Sequence, residues 1–263
     1  MKVIGKDNNV KKGFLAYPEF VEGLLGRLTE ETVEAAIPAE TLKKIRHVVI
    51  TGNGDSYAAS LATKEFNSRM FLGADYQALR CIDVSRHHVF DEVNPEETLV
   101  MVISVSGGGA RVTEAMKRAA TKGCTTLAIT GNPESRMAKE AGHILQIQIP
   151  KMTEFSPAGQ TRSYFTAVFT TLMLGIHAGI ARGNITREEA EALRAEILAY
   201  VKAVCTEEKN GVILSVDEEE RLLAPIDEYI GSIQQKVNAL RVDGTDKVVS
   251  LTTHMAVVKE NAN

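Results

Sequence analysis

Two short stretches of glycine and serine contain the residue types that bind small anions. The first consists of Gly54, Asp55 and Ser56, and the second of Ser104, Val105, Ser106, Gly107, Gly108 and Gly109. Each stretch follows an apolar run and precedes a helical pattern. Glycines let a ligand approach the backbone, and serine hydroxyls donate to an oxyanion or a sugar hydroxyl. Since a helix start adds free amides and a positive dipole end, the second stretch predicts a site for a phosphate monoester.

Neither stretch matches a nucleotide-binding motif. Tyr57 stands where a dinucleotide fingerprint requires glycine or alanine, and no lysine followed by serine or threonine comes after the second stretch. A nucleotide-linked enzyme of generic doubly wound fold is therefore the weaker alternative. A further alternative is a pair of ordinary glycine-containing turns with incidental serines.

The elements that must position these stretches follow from the apolar pattern of the first 150 residues. Helical patterns separate five short runs rich in β-branched residues, and the clearest, Ala110–Lys122, has the spacing of one buried helix face. This alternation predicts an α/β fold: a three-layer α/β/α, doubly wound arrangement with a five-stranded, mostly parallel sheet and additional C-terminal helices. The predicted strands are His47–Thr51, Tyr76–Cys81, Thr98–Ile103, Cys124–Thr130 and Ile144–Ile149.

Long helical patterns flank the predicted sheet. Pro18–Ala36 predicts one amphipathic helix before it, and Gly159–Gly183 and Thr186–Cys205 predict two after it. The last of these opens with a capping box from Thr186 to Glu189. The stretch Tyr164–Ile180 is apolar on most sides, but threonines, glycines and a histidine interrupt it, so we expect a buried core helix and no membrane partner.

Composition excludes several classes of protein. The 263 residues carry 34 acidic and 30 basic side chains, and a net charge of -4 lacks the basic footprint of a nucleic-acid binder. The three cysteines are far apart, which indicates neither a disulfide scaffold nor a zinc site. The amino terminus has no sustained apolar run of the kind a secretory signal needs. We therefore expect a cytoplasmic protein without metal or cofactor.

Three motifs resemble those of the sugar isomerase (SIS) domain family. Gly54-Asp55-Ser56-Tyr57 resembles its G-[TSD]-S-Y turn, Ser104-Val105-Ser106-Gly107 its S-x-S-G turn, and the stretch from Pro157 to Thr166 the V-A-x-T-[KR]-S-F-T start of a long helix. The motifs occur in the family's order, and the resemblance covers about Pro18 to Cys205. It is strongest to the isomerase half of glucosamine-6-phosphate synthases and to fructosamine-6-phosphate deglycases, which carry two such domains in tandem.

The resemblance implies a sugar-phosphate site. It places the phosphate on Ser104, Ser106 and the amides of Gly107, Gly108 and Gly109, with Ser56 added from the first stretch. It places the sugar hydroxyls on Gln160 and the backbone around Ala158 and Gly159, and it includes Thr161 among the residues that bind the substrate or its phosphate. The family often has glutamine at the position of Val105 and threonine at that of Gly109, so two polar contacts are missing in this chain.

The catalytic group is less well defined. A sugar isomerase needs a general base near the migrating proton, and Glu154, just before the third motif, is the nearest carboxylate; a solvated loop residue is the equal alternative. The resemblance also implies that the second tandem domain supplies much of the machinery. We predict a phosphosugar-binding domain over residues 1–205 and, over 206–263, a helical extension that resembles the beginning of a truncated second domain.

Two functions remain open from the sequence. One is an isomerase or deglycase that acts on an amino-sugar or fructosamine 6-phosphate, and the other is a non-catalytic phosphosugar-binding or regulatory module. A single unit leaves exposed the helix surface that a tandem partner would cover, so we expect a homodimer or higher homo-oligomer.

Overall fold

Five parallel strands form the centre of the protein in the computed structural model, which describes residues 17–88, 90–147 and 160–209. The sheet has the order β2-β1-β3-β4-β5. All six residues of β3 are buried, as expected for the middle strand of a parallel sheet covered on both faces. The strands are β1 (His47–Gly52), β2 (Asp75–Arg80), β3 (Thr98–Ile103), β4 (Thr125–Thr130) and β5 (His143–Gln146).

Helices precede, connect and follow the strands. Short 3-10 turns lie at Phe90–Glu92, Pro95–Glu97 and Ala138–Glu140. The helices of the described residues are α1 (Tyr17–Leu25), α2 (Glu30–Ala36), α3 (Ala39–Lys44), α4 (Asp55–Ala62), α5 (Lys64–Met70), α6 (Cys81–Arg86), α7 (Ala110–Thr121), α8 (Gln160–Ala181) and α9 (Arg187–Lys209).

Two apolar clusters cover the two faces of the sheet. On one face Ile50 and Met101 pack with Met173 of α8, and on the other Val49 and Val100 pack with Met116 of α7. Neighbouring residues of one strand belong to opposite clusters because side chains alternate along a strand. These three layers confirm the α/β/α fold with a five-stranded parallel sheet.

Helix α8 lies in the larger cluster. Its segment Ser163–Ala181 is long and apolar enough to cross a membrane by length and composition, and 67% of this apolar stretch is buried inside the protein. The core helix of a soluble protein meets the same criterion. Gly175 allows α5 to pack closely against α8, because a β-carbon there would lie 2.0 Å from Oδ1 of Asn67.

The element boundaries differ from prediction in several places. The helix predicted over Pro18–Ala36 is wrong as a single element, since α1 ends at Leu25 and α2 begins after Thr29, whose hydroxyl accepts from the Thr32 amide at 3.3 Å. Cys81, predicted to end a strand, begins α6. Helix α9 continues past Cys205 to Lys209. The predicted extension lies outside the described residues after that point.

The predicted capping box of α9 is confirmed. The Glu189 amide donates to Oγ1 of Thr186 at 3.1 Å, and the Thr186 amide donates to a carboxylate oxygen of Glu189 at 2.7 Å. Two amides that would otherwise lack partners at the helix start are thereby satisfied.

Candidate functional site

The sheet topology brings the two glycine-serine stretches to one place. β1 and β3 are adjacent, and Gly52 at the end of β1 is level with Ile103 at the end of β3. The chain leaves β1 toward β2 on one side and later returns to β3 on the other. The loops after β1 and β3 therefore flank the switch point of the sheet, where open α/β folds bind their ligands.

The β1 loop (Asn53–Ser56) is held tightly against the strand ends. A β-carbon on Gly52 would lie 2.6 Å from Cβ of Ser56 and 2.9 Å from the carbonyl oxygen of Ile103, so only glycine fits there. Gly54 has φ +54 and caps α4, which begins at Asp55. Ser56 is half-buried in the first turn of α4, while Asp55 is exposed. This turn thus places Ser56 beside the end of β3.

The β3 loop (Ser104–Gly109) uses its serines to hold its own backbone. The Gly107 amide donates to Oγ of Ser104 at 3.2 Å, and the Gly108 amide donates to Oγ of Ser106 at 3.4 Å. Since each hydroxyl accepts from the loop, its own hydrogen is left to donate outward. Helix α7 begins at Ala110 directly after the loop, and the first amides of a helix have no partner within it. The loop therefore presents donors and a positive helix end together.

A third loop supports the β3 loop, and the sequence interpretation missed it. In the β4 loop (Gly131–Met137), the Gly131 amide donates to the Val105 carbonyl at 2.9 Å and the Met137 amide to the Gly107 carbonyl at 3.2 Å. The Thr130 hydroxyl also reaches the Val105 carbonyl, at 3.3 Å. The sequence signal that could have indicated this loop is Gly131, which follows a third apolar run, the predicted strand Cys124–Thr130. The β4 loop therefore fixes the shape of the β3 loop by donating hydrogen bonds to carbonyl groups of the β3 loop.

The side chain of Arg136, in the β4 loop, also contacts the β3 loop. Its Nη2 donates to the carbonyl oxygen of Gly108 at 2.5 Å, although the side chain is otherwise exposed. The other arginine beside the loop, Arg111, is paired with Glu114 at 2.9 Å. Glu114 also contacts Arg86 at 3.0 Å. Arg136 was not predicted as a site residue, since nothing in its local sequence indicates where its side chain points.

Burial disfavours the reactive form of the thiol near this edge of the sheet. Burial raises the pKa of Cys81 to about 11, so the reactive thiolate is scarce at neutral pH. Burial likewise raises the pKa of Cys124 to about 11. Within the described ranges, no three His, Cys, Asp or Glu side chains are grouped so that they could hold a metal ion.

Comparison with known proteins decides the family. The family model of the SIS domain matches residues 41–177, about half of the chain, and this range contains both loops and most of α8. The chain belongs to the SIS domain family. The resemblance given by the three sequence motifs is thereby confirmed.

Two curated relatives of this SIS domain are enzymes whose names include a sugar phosphate. A glutamine–fructose-6-phosphate aminotransferase (isomerizing) from Halobacterium salinarum is 32% identical over 169 residues, 64% of this chain and 27% of the relative. A phosphoheptose isomerase from Aliarcobacter butzleri is 31% identical over 144 residues, 48% of this chain and 76% of the relative. The SIS domain therefore spans only about a quarter of the first relative.

Solved structures share the fold. A proposed phosphosugar isomerase from Clostridium difficile 630 superposes with a TM-score of 0.62 at 19% identity, covering 73% of this chain and 52% of that one. The C-terminal domain of a glucosamine-fructose-6-phosphate aminotransferase from Francisella tularensis gives a TM-score of 0.54 at 16% identity, covering 77% of this chain and 55% of that one. At such identities the likeness concerns the fold alone.

The two departures from the SIS motif have different structural settings. Val105 packs its side chain against the larger apolar cluster, and its carbonyl is occupied by the β4 loop, so its contribution is to the shape of the β3 loop. Gly109 is exposed, and a β-carbon there would be 3.4 Å from Val112, an ordinary contact. A side chain could therefore be accommodated at position 109. At position 105 the side chain is held against the apolar cluster, so it is not free to turn in another direction.

The third motif of the SIS domain is described only in part. Gln160 and Thr161 form the beginning of α8, where their side chains are not described. Ala158, Gly159 and the proposed base Glu154 lie outside the described residues. Their roles remain predictions.

Proposed function

We propose that this SIS domain binds a sugar phosphate across the β1 and β3 loops and takes part in aldose-ketose isomerisation or deglycation. The observation that carries the proposal is the pair of serine hydroxyls in the β3 loop, each accepting a hydrogen bond from an amide of its own loop. Donors held in place before the ligand arrives need little reorganisation to bind a dianion. The substrate class is an amino-sugar or fructosamine 6-phosphate.

The two curated relatives support this class. One is a fructose-6-phosphate aminotransferase of the isomerizing type, and the other is a phosphoheptose isomerase, so both act on a sugar phosphate. The activity of the longer relative as a whole is not assigned to this chain, which matches 27% of it. The two relatives have a phosphosugar substrate in common, and the binding of a phosphosugar is what we propose for the SIS domain.

The proposed roles divide the ligand between the loops. Ser104 and Ser106 donate to the phosphate together with the Gly109 amide, and Ser56 approaches from the β1 loop. The Gly107 and Gly108 amides are directed at Ser104 and Ser106, so they order the loop in this structure. On the model of the family motif, Gln160 and the neighbouring backbone bind the sugar hydroxyls.

The proposed chemical step is a proton shift between neighbouring carbons of the open-chain sugar. A base removes a proton from C1 of the ketose, an enediol forms, and a proton is returned to C2 while the carbonyl moves to C1. In deglycation the same shift gives an imine at C1, which water hydrolyses to the aldose phosphate and the free amine. Glu154 is the proposed base.

Turnover assays test the enzymatic claim. We expect the protein to convert one of three compounds: fructose 6-phosphate, glucosamine 6-phosphate or a fructosamine 6-phosphate. Glu154→Gln should abolish conversion while leaving sugar-phosphate affinity within about twofold, because a base that only moves a proton contributes little to ground-state binding. Absence of turnover with all three compounds would reject the enzymatic claim.

The second candidate function keeps binding without catalysis. The β1 and β3 loops supply hydroxyls, amides and a helix end, all of which bind anions, and Asp55 is the one carboxylate within them. Calorimetric titration separates the candidates. Saturable binding of a sugar phosphate without turnover would assign a sensor or regulatory module.

A homodimer is proposed as the assembled form. An apolar groove of about 710 Å³ lies between α8 and α9, and Tyr200 in it is 70% exposed. Large exposed apolar surfaces are typical of interfaces. The proposed occupant is the same surface of a second copy, because a two-fold dimer pairs identical surfaces.

The cytoplasm is the proposed location. The described cysteines, Cys81 and Cys124, are both free and buried. Free thiols are usual in a reducing compartment.

A further inference from the structure

The loop that would receive the phosphate has little positive charge of its own. The described residues of the β1 and β3 loops are neutral except for Asp55, which is negative. Arg111 in the first turn of α7 is paired with Glu114, which Arg86 also contacts. A cation from another element would strengthen the binding of a dianionic ligand at this edge.

The β4 loop supplies that cation at a fixed position. Arg136 stands between Ser135 and Met137, and both neighbours hold the β3 loop: the Met137 amide bonds the Gly107 carbonyl at 3.2 Å, and a β-carbon on Gly107 would lie 2.0 Å from Oγ of Ser135. The backbone on either side of Arg136 is thus anchored to Gly107. The guanidinium then reaches Gly108, where Nη2 donates to the carbonyl oxygen at 2.5 Å.

Most of the guanidinium donors remain available at this position. An arginine carries five N–H donors in a planar fork, and the contact with Gly108 uses one of them. Across the part of the chain that the structure describes, Arg136 forms no ion pair with a carboxylate, whereas Lys139 in the same segment approaches Glu134 at 4.0 Å. The side chain is exposed and can turn toward a ligand at modest cost.

We infer that Arg136 is a phosphate-binding residue of this site, reaching from the β4 loop to the dianion held on the β3 loop. The inference rests on the proposed sugar-phosphate function and extends it to a residue outside the three family motifs. It also accounts for the two missing polar side chains, since a charged fork can replace the contacts that Val105 and Gly109 do not make.

The experiment compares Arg136→Gln and Arg136→Lys with the unchanged protein by calorimetric titration. The probes are fructose 6-phosphate, glucosamine 6-phosphate and unphosphorylated fructose. Loss of one charge-assisted contact should weaken the bound sugar phosphate about 10-fold or more in Arg136→Gln. Arg136→Lys should recover part of that loss. Lys139→Gln, the matched control, removes one positive charge from the same segment and should stay within about twofold.

The pH dependence of the affinity gives a readout that a structural role would not change. A phosphate monoester gains its second charge near pH 6, so a cation in contact with it favours the dianion. Affinity of the unchanged protein should therefore rise between about pH 5 and 7, and Arg136→Gln should flatten that rise. Melting temperatures of the variants monitor folding.

The outcomes separate the inference from the function it rests on. If the unchanged protein binds neither sugar phosphate, the proposed function fails and the inference with it. If it binds one of them and Arg136→Gln binds it equally well, or if Lys139→Gln is weakened as much, the inference alone is overturned.

Discussion

Gly107 and Ser135 lie so close that no side chain fits between them. A β-carbon built on Gly107 would be 2.0 Å from Oγ of Ser135 and 2.4 Å from its Cβ. Gly107 also has φ +59, a conformation that residues with a β-carbon rarely adopt. The contact joins the β3 loop to the β4 loop at the point where the candidate anion site is built.

Gly107→Ala is expected to destabilise the fold strongly. The added carbon meets Ser135, and the backbone is strained at positive φ, so we expect a loss of about 2–4 kcal/mol in the free energy of unfolding. Urea denaturation of the variant and the unchanged protein measures this difference in the free energy of unfolding.

Two glycines provide matched controls for that variant. Gly183, just after α8, also has positive φ, but a β-carbon there would meet nothing within 4 Å, so Gly183→Ala should cost only about 1 kcal/mol of backbone strain. Gly108 has space as well, and Gly108→Ala should stay within about 0.5 kcal/mol. Equal losses in all three variants would contradict the packing argument.

Removing the serine hydroxyls should weaken sugar-phosphate binding. Ser104→Ala and Ser106→Ala each delete a donor to a charged ligand and an acceptor for a loop amide, and each should raise the Kd about 10-fold. Titration with fructose 6-phosphate and glucosamine 6-phosphate measures the effect. Ser68→Ala is the control, because that hydroxyl bonds the Lys64 carbonyl on α5. Unchanged affinity in both site variants would remove the β3 loop from the binding site.

Stability is expected to decrease in mild acid because of His177. Burial lowers its pKa, an effect that the nearby carboxylates of Glu34 and Glu30 oppose in part. The ring is 2% exposed, and Nε2 lies 3.0 Å from a carboxylate oxygen of Glu34. Because the folded pKa is lower than the unfolded one, the unfolded chain binds more protons below about pH 6.5, and the free energy of unfolding falls as the pH falls.

Urea denaturation at several pH values between about 5 and 7.5 tests this expectation, with a slope of at most about 1.4 kcal/mol per pH unit from one group. His177→Gln should reduce the slope, whereas His87→Gln, which replaces an exposed histidine, should leave it unchanged. Burial also lowers the pKa of His88, so a smaller slope should remain in His177→Gln. An unaltered slope in His177→Gln would contradict the assignment.

The proposed homodimer predicts a specific effect of charge in the groove between α8 and α9. Tyr200→Glu should shift the protein toward monomer in sedimentation velocity, since an unpaired carboxylate is costly in an apolar interface. Leu72→Glu is the matched control: Leu72 is similarly exposed, at 68%, but lies outside the groove. An unchanged protein that sediments as a monomer would exclude the dimer.

The sequence predicted those parts of the fold in which local pattern and tertiary environment agree. The uninterrupted apolar run of β3 and the regular spacing in α7 are both typical of elements packed on a core, and both were found near the predicted bounds. The capping box of Thr186 and Glu189 likewise needs only residues that are close in sequence.

The features missed by prediction depend on local competition or distant contacts. Apolar residues continue through Leu24, Leu28 and Val33, so spacing alone predicts one helix, but the Thr29 hydroxyl caps a new one. The role of the β4 loop arises from contacts such as that between Arg136 and Gly108, far apart in sequence. The periodicity of the sequence does not predict which residue an exposed arginine side chain will contact.

The adjacency of β1 and β3 has a consequence for how the protein acquires its binding site. β2 and α6 lie between these strands in sequence, so the β1 and β3 loops meet only through the pairing of strands that are far apart in the chain. The site is therefore assembled by long-range folding and is absent from any nascent chain that has not yet reached β3. A ligand spanning both loops would bind only the native state, and the melting temperature would rise with the logarithm of the free ligand concentration once that concentration exceeds the Kd.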